Sequence, residues 1–111
     1  MSVKSHYGNY IRERLGKDII EDEYGFATFY FIGDGCYIED IYVDADHRKG
    51  GHASKYADQI AAKAKELGYT KLYGTVVPTA KGSTESLKVL LAYGFRVDSA
   101  ANNVIALVKV L

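Results

Sequence analysis

The sequence predicts one mixed α/β domain, a central sheet with flanking helices and a short N-terminal region. Three observations predict it. At 111 residues the chain can bury one core but not two. Its segments read in the order helix, strands, helix, strand, helix, strands. The middle helix is stripe-patterned and lies between two strong strands, which makes those strands a parallel pair joined by a crossover.

The elements follow in turn. Residues 5 to 20 are weakly patterned, and only "NYIRERL" reads as one short amphipathic helix. "YGFATFYFI", Tyr24 to Ile32, is an aromatic strand bounded by glycines. "GDG", Gly33 to Gly35, is a tight hairpin turn, because glycine tolerates positive φ there. "CYIEDIYVD", Cys36 to Asp44, is the next strand. A helix from about Gly51 to Leu67 carries Ala53, Tyr56, Ala57, Ile60, Ala61, Ala64 and Leu67 on three–four spacing, and Gly68 ends it. The alanines in that stripe let the helix lie close on a sheet. "KLYGTVV", Lys71 to Val77, is a third strand. A second helix runs from Ser83 to Tyr93, with Ser83 or Thr84 as its expected cap and Gly94 as its stop. "GFRVD" and "NVIALVKVL" are strands around an "AANN" turn.

Composition narrows the function classes. Lys plus Arg number 14 and Asp plus Glu number 14, so no global field draws the chain to nucleic acid or an anionic membrane; any anion site has to be local. No apolar run is long enough to span a bilayer, and "MSVKSHYGNY" lacks a signal-peptide core, so the expected location is the cytoplasm. The lone Cys36 forms no internal disulfide, offers no metal spacing and reads as a small buried residue.

The chemistry concentrates at "DADHRKGGHASKYADQ". A strand feeding a glycine-rich turn and a helix start leaves first-turn amides without intrahelical partners, and the helix dipole adds partial positive charge. Arg48 and Lys49 add formal charge, and Gly50 and Gly51 let a ligand approach the backbone. The spacing fits neither a Walker loop nor a dinucleotide fingerprint. On residues alone, a turn with solvated charges and a cradle for a phosphorylated ligand both remain open.

"IEDIYVDADHRKGGHASKYAD" resembles the acetyl-CoA-binding motif of the GNAT N-acetyltransferases: Arg or Gln, two residues, Gly, one residue, then Gly or Ala, here Arg48, Gly51 and Ala53. The run Glu39 to Asp44 is similar to that of diamine acetyltransferases, and "STESLKVLLAYGF" resembles the second cofactor helix, which ends in Gly-Phe, here Gly94-Phe95. The likeness covers about residues 24 to 111. It implies a GNAT-like acyl-CoA N-acyltransferase fold and acetyl-CoA as co-substrate, with no metal. It places the pyrophosphate on the amides of Lys49, Gly50, Gly51, His52, Ala53 and Ser54, with Arg48 shaping the loop. The backbone of Tyr42 and Val43 pairs with the pantetheine arm, and the thioester lies where the Cys36 and Lys71 strands splay apart. The implied acceptor is an amine, either a small polyamine-like molecule or a protein amine.

Only a free amine attacks a thioester, so the site needs a carboxylate to take its proton. Glu39 and Asp40 are the candidates, and by resemblance Glu39 holds the position of the base. Strand residues alternate faces, so only one of the two reaches the cleft unless a bulge intervenes. His52 is either a phosphate contact or a solvent-facing first-turn residue. Two departures from the family pattern stand out: Ser83 where Asn is usual, and Leu90 where a tyrosine protonates the leaving thiolate. The front is also short for the family, which leads to a wide acceptor cleft or a homodimer, with the apolar C-terminal strand as the expected dimer edge. The alternative function is a degenerate family member that binds coenzyme A or a protein without catalysis.

Overall fold

The structure is a computed structural model that describes residues 5 to 111. The order is α1 (His6–Leu15), β1 (Asp18–Glu21), β2 (Gly25–Ile32), β3 (Gly35–Val43), a single 3-10 turn (Ala45–His47), α2 (His52–Glu66), β4 (Lys71–Val76), α3 (Ser83–Tyr93), β5 (Arg96–Ala101) and β6 (Val104–Val110). The six strands form one sheet in the order β1-β2-β3-β4-β6-β5. All neighbours are antiparallel except β3 and β4, the pair that α2 crosses between.

The core lies between the sheet and α2. Ala27, Phe29, Cys36, Ile38 and Leu72 from the strands meet Tyr56, Ala57, Ile60 and Ala64 from the helix, all buried. Of the helix stripe predicted from sequence, Tyr56, Ala57, Ile60 and Ala64 are the buried face of α2, Ala53 and Ala61 are half-buried, and Leu67, just past the helix, is exposed. α1 packs on the other side, where Tyr7 meets Phe26 edge-on at 5.2 Å between ring centroids and Ile11 is buried. α1 and β1 together form the part of the chain whose pattern is weakest. Of that part the sequence reading recovers the helix and misses β1, which has four residues, too few to show a period.

Three further expectations need correction. α3 is not capped by Ser83 or Thr84: its cap is Gly82 at φ 80, and the Ser83 hydroxyl turns back to donate to the Pro78 carbonyl at 2.7 Å. The "AANN" turn is narrower, because Ala100 and Ala101 continue β5 and only Asn102 and Asn103, at φ 53 and 60, make the turn. Two successive residues of positive φ match the twist of a tight hairpin, and asparagine tolerates that region. Finally, β6 is not an edge. It pairs with β4 on one side and β5 on the other, and the free edges of the sheet belong to β1 and β5.

Candidate functional site

β3 and β4 pair over only three positions, Gly35 with Lys71, Cys36 with Leu72 and Tyr37 with Tyr73. β3 then runs on to Val43 and β4 to Val76 without touching in register, so the sheet opens into a splay beyond Tyr37. The Asp44 amide donates to the Tyr24 carbonyl at 2.7 Å, toward β2. Because backbone groups alternate along a strand, Tyr42 also faces β2, whereas Ile41 and Val43 turn their N–H and C=O groups into the splay. Of the two residues expected to offer their backbone, Tyr42 therefore turns its groups to β2, while Val43, and Ile41 before it, turn theirs toward the splay.

The glycine loop sits at the mouth of the splay. Arg48 curls back so that Nε donates to the Val43 carbonyl at 3.0 Å, with its guanidinium 5.8 Å from the Tyr42 ring centroid. That contact ties the loop to the end of β3. Lys49 and Gly51 have φ of 67 and 83, and Gly51 begins α2 with no side-chain cap and no acid in the first turn. The amides of His52, Ala53 and Ser54 are consequently unclaimed by helix or cap. A Cβ placed at Gly51 meets nothing within 4 Å, so the loop is open at that point. His52 is not solvent-facing: it is half-buried and stacks on Tyr24 at 4.4 Å between centroids. Loop and splay form one groove. Ala53, Ser54 and Ala57 of α2, Ile38 and Ile41 of β3, and Leu90, Tyr93 and Phe95 line a narrow crevice running from the loop toward α3.

The carboxylates lie on the opposite face. Phe29 pairs with Ile38 and Thr28 with Asp40, so Glu39 is the extra residue of a β-bulge. The bulge turns both Glu39 and Asp40, each exposed, to the α1 side of the sheet. There they join Tyr30 and Tyr37, whose rings lie 5.2 Å apart, and the Tyr37 hydroxyl reaches across the parting strands to the Thr75 hydroxyl. Glu39 is not free: Lys17 donates to its Oε2 at 2.5 Å, and the Lys17 ammonium sits 5.5 Å from the Tyr30 ring centroid. The hydrogen bond to Glu39 holds the Lys17 pKa above its ordinary value. The alternation of "FYFIGDGCYIE" places Tyr30 and Tyr37 on one face, a signal the sequence contains; nothing in it brings Lys17 to Glu39.

Two other groups are settled by geometry. Cys36 is fully buried, and burial pushes its thiol up to about 12. It is no nucleophile. The Tyr93 hydroxyl donates to Asp58 Oδ1 at 2.6 Å, and burial together with that carboxylate raises its pKa. Leu90 faces the crevice, packed near Gly74 and Phe95. Among the described residues no group of three or more potential metal ligands occurs, and no helix is long and apolar enough to cross a membrane.

A family model for the acetyltransferase (GNAT) family matches residues 10–95. The chain belongs to the GNAT acetyltransferase family. Among solved structures it is similar to the PaiA N-acetyltransferase from Thermoplasma acidophilum in complex with coenzyme A (TM-score 0.74, 14% identity, covering 91% of this chain and 66% of that one). It is likewise similar to a GNAT family acetyltransferase from Elizabethkingia anophelis with acetyl-CoA bound (0.71, 21%, 93% and 82%). Ard1 from Thermoplasma volcanium matches at 0.67 and 17% identity, with 79% and 63% coverage. The chain thus spans slightly less than two thirds of each Thermoplasma protein, and the likenesses establish the GNAT acyltransferase fold. No curated protein matches it by sequence. Similarity to diamine acetyltransferases in particular does not emerge from these matches.

Proposed function

We propose that this GNAT protein is an N-acetyltransferase that moves the acetyl group of acetyl-CoA directly to a primary amine. The observation that carries the reading is the splay: three paired positions, then an open edge of β3 facing an uncapped α2 N-terminus. An extended pantetheine arm adds there as a strand on Ile41 and Val43, and the pyrophosphate takes the amides of Lys49 through Ser54. Two bound neighbours, one holding coenzyme A and one acetyl-CoA, support the same co-substrate.

In the proposed reaction the amine arrives on the α1 side, where the bulge puts Glu39. Its nitrogen attacks the thioester carbonyl carbon, the C–S bond breaks, and the amine proton passes to Glu39 or, through water, to Asp40. The coenzyme leaves as thiolate, which at a thiol pKa of about 8.5 departs without an obligatory proton donor. Calorimetry with acetyl-CoA tests the site. Wild type binds and Gly51→Glu, which places a charge where the pyrophosphate belongs, does not; equal binding rejects the loop assignment.

Leu90 favours a second reading, a protein that binds coenzyme A without catalysis, since leucine donates no proton and Tyr93 is committed to Asp58. Binding of acetyl-CoA and desulfo-CoA with no amine-dependent thiol release selects that reading. A homodimer remains part of the proposal, with β5 or β1 rather than β6 as the available edge; light scattering at high micromolar concentration that returns the monomer mass removes it.

A further inference from the structure

Lys17 joins α1 to β1, and its side chain does not run into solvent as an isolated loop lysine's does. It crosses β2 above Tyr30 and ends on Glu39 of the neighbouring strand. The place where it ends is the carboxylate at the bulge, two residues past the last β3–β4 pair. An ammonium on an unbranched alkyl chain lies near an aromatic face and on a carboxylate. That is what a bound primary alkylamine looks like before it loses its proton. The Lys17 side chain is 26% exposed and that of Glu39 33%, so the pair stands at the surface with an aromatic ring beside it. Beside it an open cleft lined by Leu15, Gly16, Lys17, Asp18, Tyr30 and Phe31 leaves room for a longer chain, because β1 ends its pairing at Phe29 and leaves the edge of Tyr30 and Phe31 uncovered.

We infer that Lys17 is a built-in occupant of the acceptor seat, and that the acceptor is an unbranched primary alkylammonium, of the lysine or diamine kind, which displaces it from Glu39 and Tyr30. The inference deepens the proposed acetyl transfer and rests on it for the word acceptor, but the seat itself is testable without the coenzyme. Lys17 is tethered, so it competes at an effective concentration in the millimolar range. Where the intrinsic constant of the ammonium for the seat is about a tenth of that effective concentration, an external amine binds the wild type about tenfold more weakly than a variant without the tethered ammonium. Branching at the amine carbon removes the fit along the Tyr30 face. Arginine in place of Lys17 keeps a charge on Glu39 and keeps the seat filled.

The experiment is a titration of Lys17→Met, wild type and the double variant Lys17→Met/Glu39→Gln with n-butylammonium, read by the NMR ring resonances of Tyr30 and Tyr37. The expected result is saturable shifts in Lys17→Met at about tenfold lower amine than in wild type, none in the double variant, and none with tert-butylammonium. Rings in a folded Lys17→Met that do not respond, or that respond equally to the branched amine, overturn the seat. With acetyl-CoA added, KM for n-butylamine or diaminobutane falls in Lys17→Met and stays at the wild-type value in Lys17→Arg; an unchanged KM in Lys17→Met also overturns it. Acetyl-CoA affinity is measured separately by calorimetry. A responsive Lys17→Met in a protein that binds no acetyl-CoA keeps the seat and removes the acetyl transfer; amine-dependent release of coenzyme A thiol with an unresponsive seat keeps the acetyl transfer and removes the seat.

Discussion

Leu90 and Tyr93 stand three positions apart on α3 and line the same crevice, yet only one of them carries a proton, and that proton points at Asp58. A tyrosine at 90 would instead face the groove. Leu90→Tyr is therefore expected to raise the turnover of any detectable acetyl transfer, while Tyr93→Phe leaves turnover nearly unchanged and loses about 1 kcal/mol of stability from the hydrogen bond to Asp58. A large fall in turnover for Tyr93→Phe with coenzyme affinity intact would place the acid there after all. Cys36 offers a simpler check. With its thiol buried and raised to about 12, it resists alkylation at neutral pH until the protein unfolds, and fast labelling of the native protein would contradict its position in the core. At this scale the sequence shows residue types well and directions poorly. Glu39 and Asp40 are visible as adjacent carboxylates, but alternation alone sends them to opposite faces. The bulge that brings them together is a property of how β3 registers against Thr28 and Phe29.

At the scale of elements, α2 was legible because its stripe repeats over four turns and glycines mark both ends. Four-residue β1 was not, because its strand character comes from pairing with β2 and not from its own pattern. The two meet through Asp22 and Tyr56. The fully buried ring of Tyr56 sends its hydroxyl to Asp22 Oδ1 at 2.5 Å, and the amides of Tyr24 and Gly25 donate to the same oxygen. Burial pushes the Asp22 pKa up, but these donors, led by the Tyr56 hydroxyl, outweigh it and leave the pKa below the ordinary 3.8. The Tyr56 pKa is raised above 10.0 by burial first and by Asp22 second. The depressed carboxylate contributes stability that is present above the ordinary aspartate value and is lost as pH falls through the folded one. The raised phenol contributes stability that is present below the ordinary tyrosine value and is lost as pH rises through the folded one. Tyr56→Phe should cost about 1.5–3 kcal/mol near neutral pH, as for a hydrogen bond to a charged group, and flatten the acid and alkaline arms of the stability profile. Urea midpoints across the pH range measure it; a profile unchanged in shape would mean that Asp22 finds an equivalent donor elsewhere.

Taken as a whole, the sheet is two three-stranded halves held in register by three pairs of residues between β3 and β4. The crossover order and the parallel pair could be read from the spacing of glycines, stripes and apolar runs. The splay was expected only through the family resemblance and its extent was not, because both strands are longer than their pairing and nothing in either sequence marks where contact ends. α2 packs on the β1–β2–β3 half and α3 meets β4, so the seam is covered but unfinished, with the Ile41 backbone and the Val43 N–H facing into it while the Val43 carbonyl is held by Arg48. A ligand that supplies the missing strand should act on both halves together. At a hundred times its dissociation constant acetyl-CoA would add about 2.7 kcal/mol by mass action, which for a domain of this size is a rise of roughly 10 °C in Tm. Hydrogen exchange should then show two protected patches. One is the first turn of α2 at His52, Ala53 and Ser54, from the phosphates; the other is Ile41 and Val43, from the pantetheine arm. Tyr42, already bonded to β2, should not change. Protection confined to the α2 turn would mean that the protein holds only the phosphates and leaves the splay empty, and acetyl transfer through the seam would then be excluded.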